Sequence, residues 1–282
     1  MAPGYRLLIF DLDATLLTRE RTIHERTAQV LREVMDRGVL VSFATGRSPR
    51  SAATITKMLT PNAPLIHFNG ALVRDAGTGQ VLFSRHLPHA HALSALAVGA
   101  QMGLHANLYV DDDILIAARS ETSRASEVKD GVPHTVVGDL LVHLTDSGRD
   151  PIKILFIGFP ELFEPFAEEI MRATGNGCEV VNSEPDYFEV LPPGVCKETA
   201  MVALADHLGV DLEEVIAFGD NLNDVEMLRS AGLGVAMGNS HADLLPSADV
   251  VIGTNDTDAI AAFLDGEFTV QGNMLVPRSD EG

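Results

Sequence analysis

The chain has 282 residues, 46% of them hydrophobic and 21% charged, which is material for one large or two moderate packed domains and excludes a disordered chain. Against 20 Lys and Arg stand 40 Asp and Glu, a formal net charge of -20 that repels nucleic-acid backbones and anionic membrane surfaces, so neither is expected as a partner. The same field repels an anionic substrate, so a phosphate site in this chain calls for a local cation.

Leu7–Phe10 reads as the first strand. Residues 24–38 read as a helix with Leu31, Val34 and Met35 on one apolar face and Gly38 as its stop. Further strand-like runs lie at residues 39–44 and 65–68. Gly77-Thr78-Gly79, between strand-like residues 71–73 and 81–83, reads as a hairpin turn, since it lacks the lysine of a phosphate-binding loop. From about residue 82 to 188 the pattern changes. Helices over 91–102 and 161–174 flank a strand at 152–159, and strands at 105–110 and 114–118 form a hairpin around Asp111, Asp112 and Asp113. The alternation then resumes with a helix over Lys197–Leu208 closed by Gly209, a strand at 215–218, a helix at 223–231, and strands at 233–237 and 248–252.

The expected fold is α/β, a doubly wound parallel sheet interrupted by an inserted α+β domain. The core is expected over residues 1–83 and 189–282 and the insert over 84–188. Cys178 and Cys196 have no metal-ligand spacing and make no disulfide framework, and residues 1–6 open no signal-like apolar run. A cytoplasmic protein is expected, with no membrane span; its oligomeric state leaves no readable mark. Leu275 to Arg278 read LVPR, partly like a protease cleavage sequence, before the closing SDEG, and the tail is given no function.

Four of the strand-like runs end in polar residues: Asp11, Thr45, Asn69 and Asp220. In an open α/β sheet ligands bind outside the carboxyl ends of the strands, so these residues are expected to converge there. Asp11 and Asp13 can aim two carboxylates at one ligand, one to attack phosphorus and one to lend and retrieve a proton, although the pair also fits a solvated acidic turn. Thr45-Gly46-Arg47 offers a hydroxyl and a backbone N–H at a helix start, an anion-binding arrangement. Lys197 opens a helix after Pro192, Pro193 and Gly194, from where its ammonium could reach the same edge. In Gly219-Asp220-Asn221-Leu222-Asn223-Asp224, crowded carboxylates suit a hard cation such as Mg²⁺, and an N-capped helix can coexist with it. His86, His89 and His91 are spaced irregularly and are read as structural, and Asp111 to Asp113 as a solvated turn.

The order Asp-x-Asp-x-Thr, Thr-Gly-Arg, Lys, Gly-Asp-x-x-Asn-Asp resembles the haloacid dehalogenase-like (HAD) phosphohydrolase superfamily in its Cof-type branch. The likeness takes in Asn69-Gly70-Ala71, Phe188-Glu189-Val190 and Met237-Gly238-Asn239. It implies that the insert is a substrate-selecting cap, that Asp11 is the nucleophile and that Asp13 is the general acid/base. It also implies Mg²⁺ held by the Asp11 carboxylate, the Asp13 carbonyl and Asp220, with Asp224 behind them. Thr45, Gly46 and Lys197 would hold the phosphoryl oxygens, Asn223 would approach the phosphate, and Arg47 would reach the substrate. Ala14 and Glu198 stand where the family usually has glycine. A methyl at position 14 strains the turn if it needs positive φ, whereas Glu198, adjacent to Lys197 on a helix, points elsewhere. The expected activity is hydrolysis of a small phosphorylated metabolite, a sugar phosphate or phosphorylated cofactor, through an aspartyl-phosphate. A phosphomutase or phosphotransferase, and a weakly active ligand-binding regulatory protein, are the alternatives.

Overall fold

A run of four apolar residues, Leu-Leu-Ile-Phe, has no polar face to offer water, so it must be covered on both sides. In the computed structural model, which describes residues 4–278, that run is an interior strand of a parallel sheet. In chain order the elements are β1 (Leu7–Phe10), α1 (Glu25–Asp36), β2 (Leu40–Phe43), α2 (Pro49–Leu59), β3 (Leu65–His67), β4 (Leu72–Arg74), β5 (Val81–Ser84), α3 (His89–Gln101), β6 (His105–Val110) and β7 (Asp113–Ile116). Then follow α4 (Glu121–Asp130), β8 (His134–Val136), α5 (Leu140–Ser147), β9 (Lys153–Ile157), α6 (Phe163–Thr174), β10 (Glu179–Glu184), β11 (Tyr187–Leu191) and α7 (Lys197–Leu208). The last are β12 (Val215–Gly219), α8 (Val225–Ser230), β13 (Leu233–Ala236), β14 (Val250–Val251), α9 (Ala259–Glu267), β15 (Phe268–Gln271) and β16 (Met274–Pro277).

The chain divides into two compact units. One takes in the chain up to Thr45, Ala52–Phe83 and the chain from Cys196 onward; the other takes in Gly46–Ser51 and Ser84–Val195. An insert ending at residue 188 would cut β11 in half, yet β11 pairs along its length with β9 and β10 of the second unit.

In the first unit the sheet order is β14-β13-β12-β1-β2, with every pair parallel. Successive side chains of a strand point to opposite faces. Leu8 and Phe10 therefore pack with Leu31 and Val34 of α1 and with Ile260 and Leu264 of α9, while Leu7 and Ile9 pack with Met201 and Leu204 of α7 and Leu228 of α8. The result is a sheet with helices on both faces. Phe10 and Phe218 stack across the β1/β12 pair at 4.4 Å between ring centroids, and each buried ring contributes about 2 to 3 kcal/mol of transfer free energy.

Residues 65–68, expected as one more strand of the doubly wound sheet, behave otherwise. β3 touches β2's line through a single parallel bridge, Ala44 to Ile66, and pairs antiparallel with β4 in a small three-stranded sheet. Phe68 and Asn69 leave it at φ 53° and 54°, so no regular pairing can continue. Residues 275–278 are structural. β16 pairs with β15, and Leu275 exchanges both backbone hydrogen bonds with Tyr5. Residues 1–3 and the closing SDEG lie outside the described residues.

The second unit is a six-stranded mixed sheet, β10-β11-β9-β6-β7-β8. Leu108, Val110, Ile154, Phe156 and Phe188 pack on one side with α3, α5 and α6. The 105–110/113–116 hairpin forms as expected, with Asp111 paired to Arg149 and Asp113 to Arg50. Among the described residues no helix is long and apolar enough to cross a membrane.

Candidate active site

Because β1 lies inside the sheet, with β2 on one side and β12 on the other, the sheet changes direction of winding at its carboxyl end, the place where open α/β sheets bind ligands. The register sets Phe10 level with Phe43 and with Phe218. Asp11 comes one residue after this level, Asp220 two after it and Thr45 two after it. Asp11 continues the ladder by donating its N–H to Phe218 O at 2.9 Å.

Lys197, the first residue of α7, is 1% exposed, and its ammonium donates to Asp11 Oδ1 at 2.5 Å and to Asp224 Oδ1 at 2.6 Å. Asp224 Oδ2 accepts the N–H groups of Asp220 and Asn221, both at 3.1 Å, so protein donors occupy both of its oxygens. Asp220 Oδ1 accepts from Thr15 Oγ1 at 2.6 Å. Two glycines allow this packing. A Cβ on Gly219 would come within 2.6 Å of Asp224, and one on Gly70 (φ +106°) would meet Cys196 O at 2.1 Å, displacing the start of α7 and Lys197 with it.

One carboxylate oxygen from each of Asp11, Asp220 and Asp224 lies within 4.8 Å of the others. Three buried carboxylates face one ammonium. Their mutual repulsion in a poorly solvated site is severe unless a cation joins them. Burial, opposed by Lys197 and reinforced by Asp224, Asp220 and Asp13, holds Asp11 well above the ordinary carboxylate range. Burial likewise pushes Asp220 up to about 6, against the Thr15 hydrogen bond. Burial works against the charge of Lys197, but Asp11 and Asp224 outweigh it and raise its pKa. An oxygen-only set with surplus negative charge fits a hard divalent cation, and Asp11 and Asp220 are the carboxylates with capacity to spare for it.

The other expected residues divide. Thr45 is buried; its N–H bonds Ile66 O and its carbonyl accepts from Asn69 N, both at 3.0 Å. Asn223 Nδ2 reaches Asn69 Oδ1 at 3.1 Å, which ties the ends of β2 and β12 through Asn69. Asp13 lies exposed, outside the buried cluster. Gly46 and Arg47 belong to the second unit, where Lys153 Nζ donates to Gly46 O at 3.1 Å and Arg47 Nη1 to Ser51 Oγ at 3.4 Å. Ala14 sits at φ 64°, the left-handed region in which its methyl is strained, and Glu198 turns toward Ser230 of α8. Sequence reading gave no role to Thr15, although a hydroxyl two residues after Asp13 was on view. It missed Lys153, whose place at the head of an apolar strand reads as a solvated end. His86, His89 and His91 form no metal-binding group among the described residues.

The family model of the haloacid dehalogenase-like hydrolases matches residues 8–264. The chain is 33% identical over 269 residues to an HMP-PP phosphatase of Serratia proteamaculans, covering 92% of this chain and 94% of the relative. It is 31% identical over 266 residues to an HMP-PP phosphatase of Enterobacter sp., with the same coverages. A crystal structure from Thermotoga maritima superposes with a TM-score of 0.83 at 29% identity, covering 94% of this chain and 98% of that one. The chain thus belongs to the haloacid dehalogenase-like hydrolases, in their Cof-type branch, and is a phosphoric monoester hydrolase.

Proposed function

We propose that this phosphatase hydrolyses a small phosphorylated metabolite in the cytoplasm, with Mg²⁺, through a phosphoryl group carried on Asp11. The observation that carries the reading is the buried Asp11–Lys197–Asp224 chain with Asp220 beside it, a nucleophile, a fixed cation and surplus negative charge at one strand end. Asp11 and Asp220, with the Asp13 carbonyl, would hold the metal, which when bound supplies positive charge against the phosphoryl oxygens. An Asp11 oxygen attacks phosphorus, the ester P–O bond breaks, and Asp13 gives its proton to the departing alkoxide. Asp13, now a carboxylate, takes a proton from the water that attacks the phosphoaspartate, so inorganic phosphate leaves and Asp11 is restored. Lys197 holds the Asp11 carboxylate in place and offsets charge on the transferring oxygens. Thr45, Gly46 and Asn223 bind those oxygens, and Arg47 meets the rest of the substrate.

The names of the two relatives make HMP-PP the first substrate to try, with sugar phosphates after it. Phosphate release from such a panel, with and without Mg²⁺, tests the reading. Turnover that needs the metal and disappears in Asp11→Asn is the expected result. Undiminished turnover in Asp11→Asn would remove Asp11 as the nucleophile.

A further inference from the structure

The chain leaves β1 in a turn that doubles back at once. Leu16 N donates to Asp11 O at 3.2 Å and Leu17 N to Leu12 O at 2.8 Å, with Ala14 at the apex in the left-handed region. A residue with a Cβ does not hold that conformation unaided; surrounding structure must impose it. Thr15 Oγ1, bonded to Asp220, anchors the turn from within the site.

The rest of the restraint comes from the two neighbouring strand ends. Asn239 follows β13 and Asn255 follows β14. Asn239 Nδ2 donates to Ala14 O at 2.8 Å, and Asn255 Nδ2 donates to Leu17 O at 2.7 Å. Asn255 N donates to Asn239 Oδ1 at 2.9 Å, which joins the two amides into one bracket. The pattern fixes both amide orientations, because each carbonyl needs an N–H and the Asn255 N–H needs an oxygen.

The geometry points to Asn239 and Asn255 as positioning residues for catalysis: a two-amide clamp that holds the strained turn after the nucleophile, and through it Asp13, Thr15 and Asp220, in working order. The Ala14 carbonyl belongs to the peptide that leads into Thr15, so fixing it sets the direction of the Thr15 hydroxyl toward Asp220. Asn255 is buried and spends its side chain on the Leu17 carbonyl, where the turn rejoins the core. The inference rests on Asp11 being the nucleophile.

The test uses p-nitrophenyl phosphate with Mg²⁺ and the full chain, following kcat, KM and the melting temperature. Asn239→Ala, Asn255→Ala and Asn239→Asp are compared with Asn62→Ala. Asn62 likewise bridges two backbone groups, Val41 N and Val39 O, but at the opposite end of β2. Asn239→Asp keeps an acceptor for Asn255 N but sets a charged oxygen against Ala14 O, so it is read beside the uncharged Asn239→Ala, and the melting temperature separates a weakened turn from a weakened fold. The clamp variants are expected to lose about 10- to 100-fold in kcat with KM within about 3-fold, as misplaced groups do. Asn62→Ala is expected to melt earlier with kcat near wild type. Adding Ala14→Gly to Asn239→Asp is expected to recover part of the loss, since glycine adopts positive φ without strain. Wild-type kcat in Asn239→Asp and Asn255→Ala, alongside an inactive Asp11→Asn, would overturn the clamp; an active Asp11→Asn would overturn the reading on which it rests.

Discussion

Each of the two units buries one lysine, and the two make an instructive pair. Lys153, at the head of β9, is 3% exposed, with its ammonium 3.0 Å from Glu189 Oε1 and 4.8 Å from the centroid of the Tyr109 ring. The ammonium pairs with the Glu189 carboxylate and also donates to Gly46 O at 3.1 Å. Lys197 is buried as deeply but faces Asp11 and Asp224, with Asp220 close behind. Depth of burial is the same in both; the balance of charge is not. A matched pair is a structural device, whereas a cluster with two negative charges left over holds its shape at a cost that only a further cation relieves. The excess, more than the burial, marks the functional site.

The sharpest way to break this comparison is to remove each ammonium. Lys197→Met is expected to cut kcat by at least about 10³-fold and to leave three carboxylates without their counterion, so that stability depends steeply on added Mg²⁺. Lys153→Met is expected to cost about 3 to 5 kcal/mol by stranding buried Glu189, and Lys153→Met with Glu189→Leu to recover much of it. Denaturant melts with and without Mg²⁺ check both. Recovery of the Lys197 variant by one carboxylate replacement, without metal, would erase the distinction.

A smaller effect lies in pH. The folded-state pKa of Asp220 is about 6, above its ordinary value of 3.8, and Asp11 is shifted in the same direction. A carboxyl raised in the folded state contributes stability that is fully present below the unfolded pKa and lost as pH rises through the folded one. The metal-free protein is therefore expected to lose up to about 3 kcal/mol between pH 4 and pH 6 from Asp220 alone. Mg²⁺, which competes with those protons, should raise the melting temperature far more at pH 7.5 than at pH 5. An equal metal effect at both values would show that the carboxylates are not its ligands. The smallest expected effect is that of Ala14→Gly, a gain of about 1 kcal/mol from relief of the left-handed methyl with kcat little changed. A large rise in kcat would instead favour a regulatory protein with weakened catalysis.

Much of the first unit was legible because its strands are largely apolar and four strand-like runs end in polar residues. That pattern puts Asp11, Thr45, Asn69 and Asp220 at one edge, which Lys197 could reach from the start of its helix. The second unit was harder to read for a physical reason. α4 (ETSRASEVKD) has no apolar stripe; its buried positions are Ser123 and Ser126, which are held by hydrogen bonds to Ser120 and Asn107 rather than by packing. Periodicity cannot detect a helix that buries hydroxyls. No strand was read over β11, where Glu189 interrupts the apolar run, and nothing local says which sheet it joins. The polar brackets at Asn239 and Asn255 were invisible for a related reason: an asparagine after a strand looks the same whether it faces water or a carbonyl.

The order of strands in the parallel sheet has a consequence for how the chain is made. Of the two neighbours of β1 only β2 follows soon in the chain; β12 arrives about 200 residues later. Tyr5 waits longer still, for Leu275. The insert's sheet, by contrast, is continuous in sequence from β6 to β11 and can close on itself while β1 still lacks half its pairing. Between the making of β11 and that of β12 a newborn chain therefore carries a complete second sheet and a wholly apolar strand that still lacks one neighbour. Chaperone dependence and aggregation in this protein should trace to Leu7–Phe10 and to the delay before Val215–Gly219 is made.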